Sequence, residues 1–356
     1  MDIGSITFGT LLPDPTTGRR LSQRERLTQV IDGAVLAEQL GFAWYALGEH
    51  HFTERDVIAS PQVVLGAIAE RTSTITLATG TTLVANRDPV LVAEDYATVD
   101  LLCDGRLRMI AGASFFEEPY AVFGQAQDSR AARKRENLEL LLRLWTEETV
   151  TWQGEFRPPL DAVRVQPRLF QSEPPVWVSG GSKPDSAYLA AELGLPMVFG
   201  TTARTPESHT PAFETYRQAW AERGRPPEQA RTGAASHVFV AETTERARSL
   251  WREYYANYFR GASMPAGARR GPFDFDALIG PGTAICGSPA EVVDKLGRLH
   301  ELWQHDLHLL SIDIGGIPYP LVARAMELVA EEVIPQVVSL GSTGGPVDST
   351  GAIAGA

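Results

Sequence analysis

The sequence predicts a (β/α)8 TIM barrel, of class α/β, with insertions after strand 4 and around strands 7–8. Three observations carry this. Eight short apolar runs alternate with helix-period segments almost from end to end. Such alternation means a parallel sheet covered by helices, and eight repeats favour closure into a barrel. The chain also lacks the G-x-G-x-x-G and P-loop fingerprints that an open nucleotide-binding sheet would carry after an early strand.

The strands are expected at residues 3–9, 42–48, 74–84, 107–112, 176–180, 196–200, 234–241 and 307–314. Leu27, Val30, Ile31 and Ala34 repeat at i, i+3, i+4 and i+7, the spacing of one buried helix face. Leu138, Leu141, Leu142 and Trp145 do the same, as do Val322, Ala325, Met326 and Val329. Further helices are expected over 61–72, 89–103, 184–193, 211–223, 244–258 and 289–303. Several open with proline, whose missing N–H costs nothing in the first turn. Ser22, Ser60, Asp88 and Ser288 stand where N-caps belong. Residues 148–175, rich in proline and β-formers, read as an insertion, with 150–154 as half a hairpin. Residues 260–281, rich in Gly, Pro and Arg and without helical period, read as a lid. The barrel domain is expected over 1–340 and a disordered tail over 341–356.

Composition narrows the function. With 32 Lys+Arg against 44 Asp+Glu the net charge is −12, which lacks the basic footprint of a nucleic-acid binder. The two cysteines, Cys103 and Cys286, form no C-x-x-C pair, so neither a disulfide framework nor a cysteine zinc site is expected. No apolar run reaches membrane-spanning length and no signal-peptide pattern opens the chain, so the expected compartment is the cytoplasm.

Barrel enzymes carry their chemistry at the carboxyl ends of the strands. The second strand ends in Gly48-Glu49-His50-His51-Phe52. Successive residues there point in opposite directions, so His50 and His51 are poorly placed to share a metal. One of them can face the mouth as an acid, base or donor, or be satisfied by neighbouring backbone. The third strand ends in Thr79-Gly80-Thr81, either a ledge for a flat ring or a glycine bulge. The fourth ends in Gly112-Ala113-Ser114, followed by Phe115, Phe116 and Tyr120, which can wall a ligand or pack a loop. The fifth ends in Gly180-Gly181-Ser182-Lys183 before a helix, a phosphate cradle or a tight turn. Trp251, Tyr254, Tyr255, Tyr258 and Phe259 read as core with one end beside the lid. Asp313, Gly315 and Gly316 close strand eight as turn or site wall. His300 and His305 are one residue too far apart for H-E-x-x-H, so no metal is expected. No G-x-S-x-G elbow is present.

At Glu49-His50-His51-Phe52-Thr53-Glu54 the chain resembles the bacterial luciferase-like flavin monooxygenase family. The resemblance extends over most of residues 2–338, through Thr79-Gly80-Thr81, Asp88-Pro89-Val90, Glu94-Asp95, Gly105-Arg106-Leu107-Arg108 and Val122-Phe123-Gly124. It continues in Pro174-Pro175-Val176-Trp177-Val178, Gly194-Leu195-Pro196-Met197 and Gly287-Ser288-Pro289. It implies a (β/α)8 barrel that uses reduced FMN and O2 to oxidise a small or medium organic substrate through a C4a-peroxyflavin. It assigns proton management to His50, with His51 supporting. Thr79, Gly80 and Thr81 match the ledge under the isoalloxazine ring, often built on a non-proline cis peptide, and Gly112 lies beside it. Gly180, Gly181 and Ser182 match the phosphate site. The flavin-proximal cysteine of luciferase becomes Gly112 here and the arginine after it Ala113, which argues against light emission. Lys183 or Arg204 are the candidate replacements for that arginine. Deazaflavin (F420) relatives usually carry Asp-His at this strand end, so Glu49-His50-His51 favours FMN. The alternatives are an oxygen-independent flavin or F420 oxidoreductase and a non-catalytic flavin-binding protein. A separate flavin reductase and a homodimer through helices near strands two to four complete the expectation.

Overall fold

The computed structural model describes residues 1–181, 184–202, 204–261 and 273–338. All eight expected barrel strands are present: most are shorter than expected, the one over 176–180 matches, and those expected from 3 and from 234 begin one and two residues earlier. Among the described residues eleven strands form, in chain order: β1 (Asp2–Thr7), β2 (Trp44–Leu47), β3 (Thr76–Thr79), β4 (Leu107–Ala111), β5 (Val150–Trp152), β6 (Leu160–Val163), β7 (Val176–Gly180), β8 (Met197–Gly200), β9 (Thr232–Val240), β10 (Ile285–Gly287) and β11 (Leu307–Ser311). Parallel pairing runs β1-β2-β3-β4-β7-β8-β9-β11 and returns from β11 to β1, which closes the barrel. β5 and β6 pair antiparallel, so the first insertion is a hairpin outside the barrel. β10 was not foreseen. It extends the sheet along Val238–Val240, where β9 runs on past the end of β8.

Alternation along the strands separates two cores. Ile6, Trp44, Ala46, Ala78, Ile110, Trp177, Val198, Leu307 and Leu309 fill the barrel interior. Trp44 and Trp177 meet edge to face there, 5.3 Å apart. The opposite strand faces are buried under the helices. These are α1 (Gln23–Gln39), α2 (Pro61–Ala69), α3 (Pro89–Leu102), α4 (Glu118–Val122), α5 (Arg130–Thr146), α6 (Asp185–Leu193), α7 (Thr210–Ala221), α8 (Thr244–Gly261), α9 (Phe275–Ile279), α10 (Pro289–Trp303), α11 (Tyr319–Leu328) and α12 (Ile334–Val337).

Three of the four expected caps form. Ser22 and Glu25 make a capping box, Asp88 accepts from Val90 N, and Ser288 accepts from Glu291 N. Ser60 caps nothing with its side chain, because its backbone lies away from the extended geometry the others adopt. Residues 260–281 were expected to be free of helix, yet α9 forms within them. Asp274 caps it, and it buries Phe275 and Ile279, too few turns to leave a period. The end of the aromatic run after β4 also becomes helical, as α4, where Tyr120 is buried, while Phe115 and Phe116 precede the helix. Residues 262–272 of the lid and residues 341–356 of the tail lie outside the described residues. Among those described, no helix is long and apolar enough to cross a membrane.

Candidate active site

Gly48, just beyond β2, lets the ring of Phe8 cross the strand end: a Cβ there would lie 2.2 Å from it. The next three residues divide two ways, as strand alternation requires. Glu49 is buried and accepts from Leu83 N at 3.0 Å, while its other oxygen stands 2.8 Å from His51 Nε2. Glu49 and His51 thus tie the end of β2 to the loop after β3. His50 lies on the other side, stacked on Phe8 at 4.7 Å with the edge of Phe116 against it. Its Nδ1 is 2.7 Å from Asp56 Oδ2.

Asp56 is fully buried and also accepts from Arg55 Nε at 2.9 Å and Thr10 Oγ1 at 3.1 Å. Burial alone would push its carboxyl up. The hydrogen bond and charge of His50, and then the Arg55 guanidinium, outweigh burial and hold it below the ordinary carboxylate range. An ionised carboxylate only accepts. His50 Nδ1 therefore carries a proton whatever the state of the ring, and Nε2 is the nitrogen left for chemistry. The sequence named His50 but not Asp56, which sits in the charge run Glu54-Arg55-Asp56. The backbone bonds Leu11 N to Arg55 O, Val57 N to Gly9 O and His50 N to Ile58 O fold that run back over the strand end.

The third strand end divides in the same manner. Thr79 is buried with its hydroxyl spent on the backbone of Ile110, at 3.0 Å from its N–H, and on Thr82. Its side chain is therefore turned to β4. The Gly80–Thr81 peptide is cis. Gly112 makes a cradle: a Cβ on it would lie 2.4 Å from Thr81 Oγ1 and 2.7 Å from Ser179 Oγ. Two hydroxyls thus converge on a residue that offers only backbone.

At the fifth barrel strand, Gly180 and Gly181 are described, and a Cβ on Gly181 would meet nothing within 4 Å. Ser182 and Lys183 lie outside the described residues. Arg204 is exposed, and its carbonyl accepts from Thr283 N. A cation the sequence reading missed stands beside this turn. Lys134 of α5 is buried, with Nζ 2.6 Å from Ser186 Oγ in the first turn of α6. Burial pushes its ammonium down to about 8 against the opposing charge of Asp185. In sequence it is one of several basic residues on a helix, and nothing local marks it.

The aromatic run of α8 divides between core and mouth. Trp251 and Tyr255 stack at 4.1 Å in the core, whereas Tyr258 lies against the Arg55 guanidinium. Asp313 closes β11 by pairing with Arg26 and accepting from Thr7 Oγ1 at 2.6 Å, so it is a structural anchor. His300 and His305 meet through the His305 carbonyl, not through a shared ligand. Among the described residues no three His, Cys, Asp or Glu side chains gather as a metal would need.

The sequence pattern of the luciferase-like monooxygenases matches residues 1–305. The limonene 1,2-monooxygenase of Rhodococcus erythropolis is 27% identical over 350 residues, 94% of this chain and 87% of that one. The monooxygenase RslO1 from Streptomyces bottropensis superposes with a TM-score of 0.84 at 28% identity, over 94% of this chain and 99% of that one. The oxygenating constituent of 3,6-diketocamphane monooxygenase from the CAM plasmid of Pseudomonas putida, a type II Baeyer–Villiger monooxygenase in complex with FMN, has the same fold. Its TM-score is 0.78 at 21% identity, over 94% of this chain and 98% of that one.

Proposed function

The chain belongs to the luciferase-like monooxygenase family and is an oxidoreductase, and on that premise we propose that it uses reduced FMN and O2 to oxidise a small or medium organic substrate. The observation that carries the reading is the His50–Asp56 pair, a histidine at a barrel-strand end whose free Nε2 a buried carboxylate fixes. Reduced FMN, when bound, supplies two electrons and the C4a carbon to which oxygen adds.

The residues present fit that group. The Gly112 cradle with the Thr81 and Ser179 hydroxyls suits a flat ring with polar edges. Gly180 and Gly181 suit its phosphate, with the start of α6 and buried Lys134, bonded there to Ser186, following them: open backbone and a helix start supply N–H donors, and the lysine supplies a charge. Lys134 is thus a further candidate for the phosphate, beside Lys183 and Arg204. His50 Nε2 gives and takes the proton at the reacting oxygen, His51 keeps the strand end in place, and Phe8 and Phe116 exclude water from that nitrogen.

No nicotinamide fingerprint occurs in the sequence, which supports a separate flavin reductase as donor. A relative of the same fold is named as an oxygenating constituent, in keeping with this. Val63, Leu91, Leu101 and Leu102 expose apolar side chains on α2 and α3, which supports a homodimer through those helices. The two buried, unpaired cysteines suit the reducing cytoplasm. The test is oxygen uptake with a flavin reductase supplying reduced FMN, across a panel of organic substrates under labelled O2. Substrate-dependent uptake with one labelled oxygen in the product is expected. Anaerobic turnover with reduced FMN or reduced F420 would instead establish hydride transfer, and tight flavin binding without any turnover a non-catalytic role.

A further inference from the structure

The Asp56 carboxylate that fixes His50 does not serve it alone. Its Oδ2 stands 2.7 Å from His50 Nδ1 and accepts from Arg55 Nε at 2.9 Å, while Oδ1 accepts from Thr10 Oγ1 at 3.1 Å. One oxygen therefore carries an imidazole and a guanidinium at once. Arg55 Nη2 also lies 3.4 Å from His50 Nδ1. Because Nδ1 bears a proton toward Asp56, two N–H groups face each other at that contact and no hydrogen bond joins them.

The guanidinium is held in this place from several sides. The Arg55 side chain is 9% exposed. Its backbone is fixed by Arg55 N, which donates to Thr53 Oγ1 at 3.1 Å, and by Arg55 O, which accepts from Leu11 N. The guanidinium carbon lies over the Tyr258 ring, 5.2 Å from its centre. Asn257 anchors that end of α8 by donating to the carbonyls of Pro13 and Gly315 at 2.9 Å.

The charges around the His50 ring come from one loop. Phe8 and Thr10, after β1, and Phe116, after β4, bring none. On α8, burial pushes the Tyr258 hydroxyl up and keeps it neutral. On β9, burial with the Arg55 charge pushes His237, which meets the edge of Tyr258 at 5.1 Å, down to about 4, so it too is neutral near pH 7. Glu49 and His51 are bonded to each other on the opposite side of the strand end. His50 thus faces one carboxylate and one guanidinium. A buried carboxylate alone at this distance favours a second proton on the imidazole, and a cation on the same oxygen opposes it.

We propose that Arg55 is a positioning residue of the proton chemistry: by sharing Asp56 Oδ2 it keeps His50 in the neutral form protonated at Nδ1, so that Nε2 meets the reactants as a proton acceptor. Asp56 sets the tautomer and Arg55 sets the charge. Without the cation the same pair would favour the imidazolium and enter the reaction with a proton to give. This inference rests on reading His50 as the proton carrier of the proposed oxygenation.

The test is a nitrogen NMR titration of the full chain, isotopically labelled at histidine and free of flavin, with the His50 signals identified by their loss in His50→Ala. In the wild type at pH 7 the ring is expected to carry one proton, on Nδ1. Arg55→Gln can still donate to Asp56 but has no charge, and the midpoint of the His50 titration is expected to rise there by about one pH unit or more. Arg55→Lys keeps the charge and is expected to stay closer to the wild type. A doubly protonated His50 in the wild type at pH 7, an unchanged midpoint in Arg55→Gln, or the same rise in both variants would overturn the proposal. Oxygen uptake is read separately. Absence of substrate-dependent turnover would contradict the proposed function and leave the charge on the ring as measured.

Discussion

Two histidines at the mouth of the barrel and two at its amino-terminal end have surroundings that assign them opposite work. At the mouth, His50 and His51 are 18% and 12% exposed, and each has a buried carboxylate within 2.8 Å. At the other end, His305 and His308 are fully buried, bonded to one another at 2.8 Å, and His308 reaches only Ser236 Oγ, at 3.0 Å. Among the described residues no carboxylate pairs with either ring. Burial pushes His308 down to about 3, and burial with the neighbouring His308 and His300 pushes His305 well below its usual range. At the first pair a buried carboxylate stands against a nitrogen of each ring, at the end of a barrel strand. The second pair is a neutral hydrogen-bonded strut between sheet and helices.

The contrast is broken most severely at His50. His50→Ala is expected to lower turnover by about 10²- to 10⁴-fold while FMN affinity stays within several-fold. His308→Gln should leave turnover unchanged. Equal turnover losses in the two variants, measured by oxygen uptake, would erase the distinction. Asp56→Asn comes next. The amide no longer favours a proton on Nδ1, so turnover should fall about ten- to a hundredfold with FMN binding retained. A smaller effect is expected at Lys134, where Lys134→Met should weaken FMN by about tenfold in a fluorescence titration and leave riboflavin unaffected. An equal effect on both flavins would remove Lys134 from the phosphate.

The smallest effect sharpens the buried pair. His308 binds its proton near 3 when folded and near 6.5 when unfolded, so the unfolded chain takes up the proton first as pH falls. Its contribution to stability is therefore full above about 6.5 and is lost progressively toward about 3. Thermal melts from pH 7 to pH 4 should show Tm falling with acid, and His308→Gln should start lower and slope less. An unchanged slope would mean that the base histidines carry no such linkage.

The features legible in the sequence are those that one segment decides alone. Each barrel strand is an apolar run bounded by helix signals, and Ser22 with Glu25 announces its capping box within four residues. His50 was legible because position at a barrel-strand end is itself informative. Asp56 was hidden because its role depends on the loop turning back to His50, and the charge run around it reads equally well as a solvated face. Lys134 was hidden because the burial that distinguishes it from Arg133 and Arg135 comes from α6, fifty residues on. Thr79 shows the converse: a hydroxyl at the expected strand end is consumed by the neighbouring strand. Tyr258 and His237 come together through the end of α8, whose aromatic spacing describes its core face and not what its last turn covers.

The central claim, that reduced FMN meets oxygen beside a proton-bearing His50, is tested most directly by rapid mixing. The full chain is loaded anaerobically with chemically reduced FMN, mixed with oxygenated buffer, and followed by flavin absorbance. Reoxidation is expected to pass through a distinct, slowly decaying spectral phase absent from free FMN, with a changed rate of that decay in His50→Ala. Reoxidation in a single phase at the rate of free FMN, identical in the wild type and His50→Ala, would contradict it.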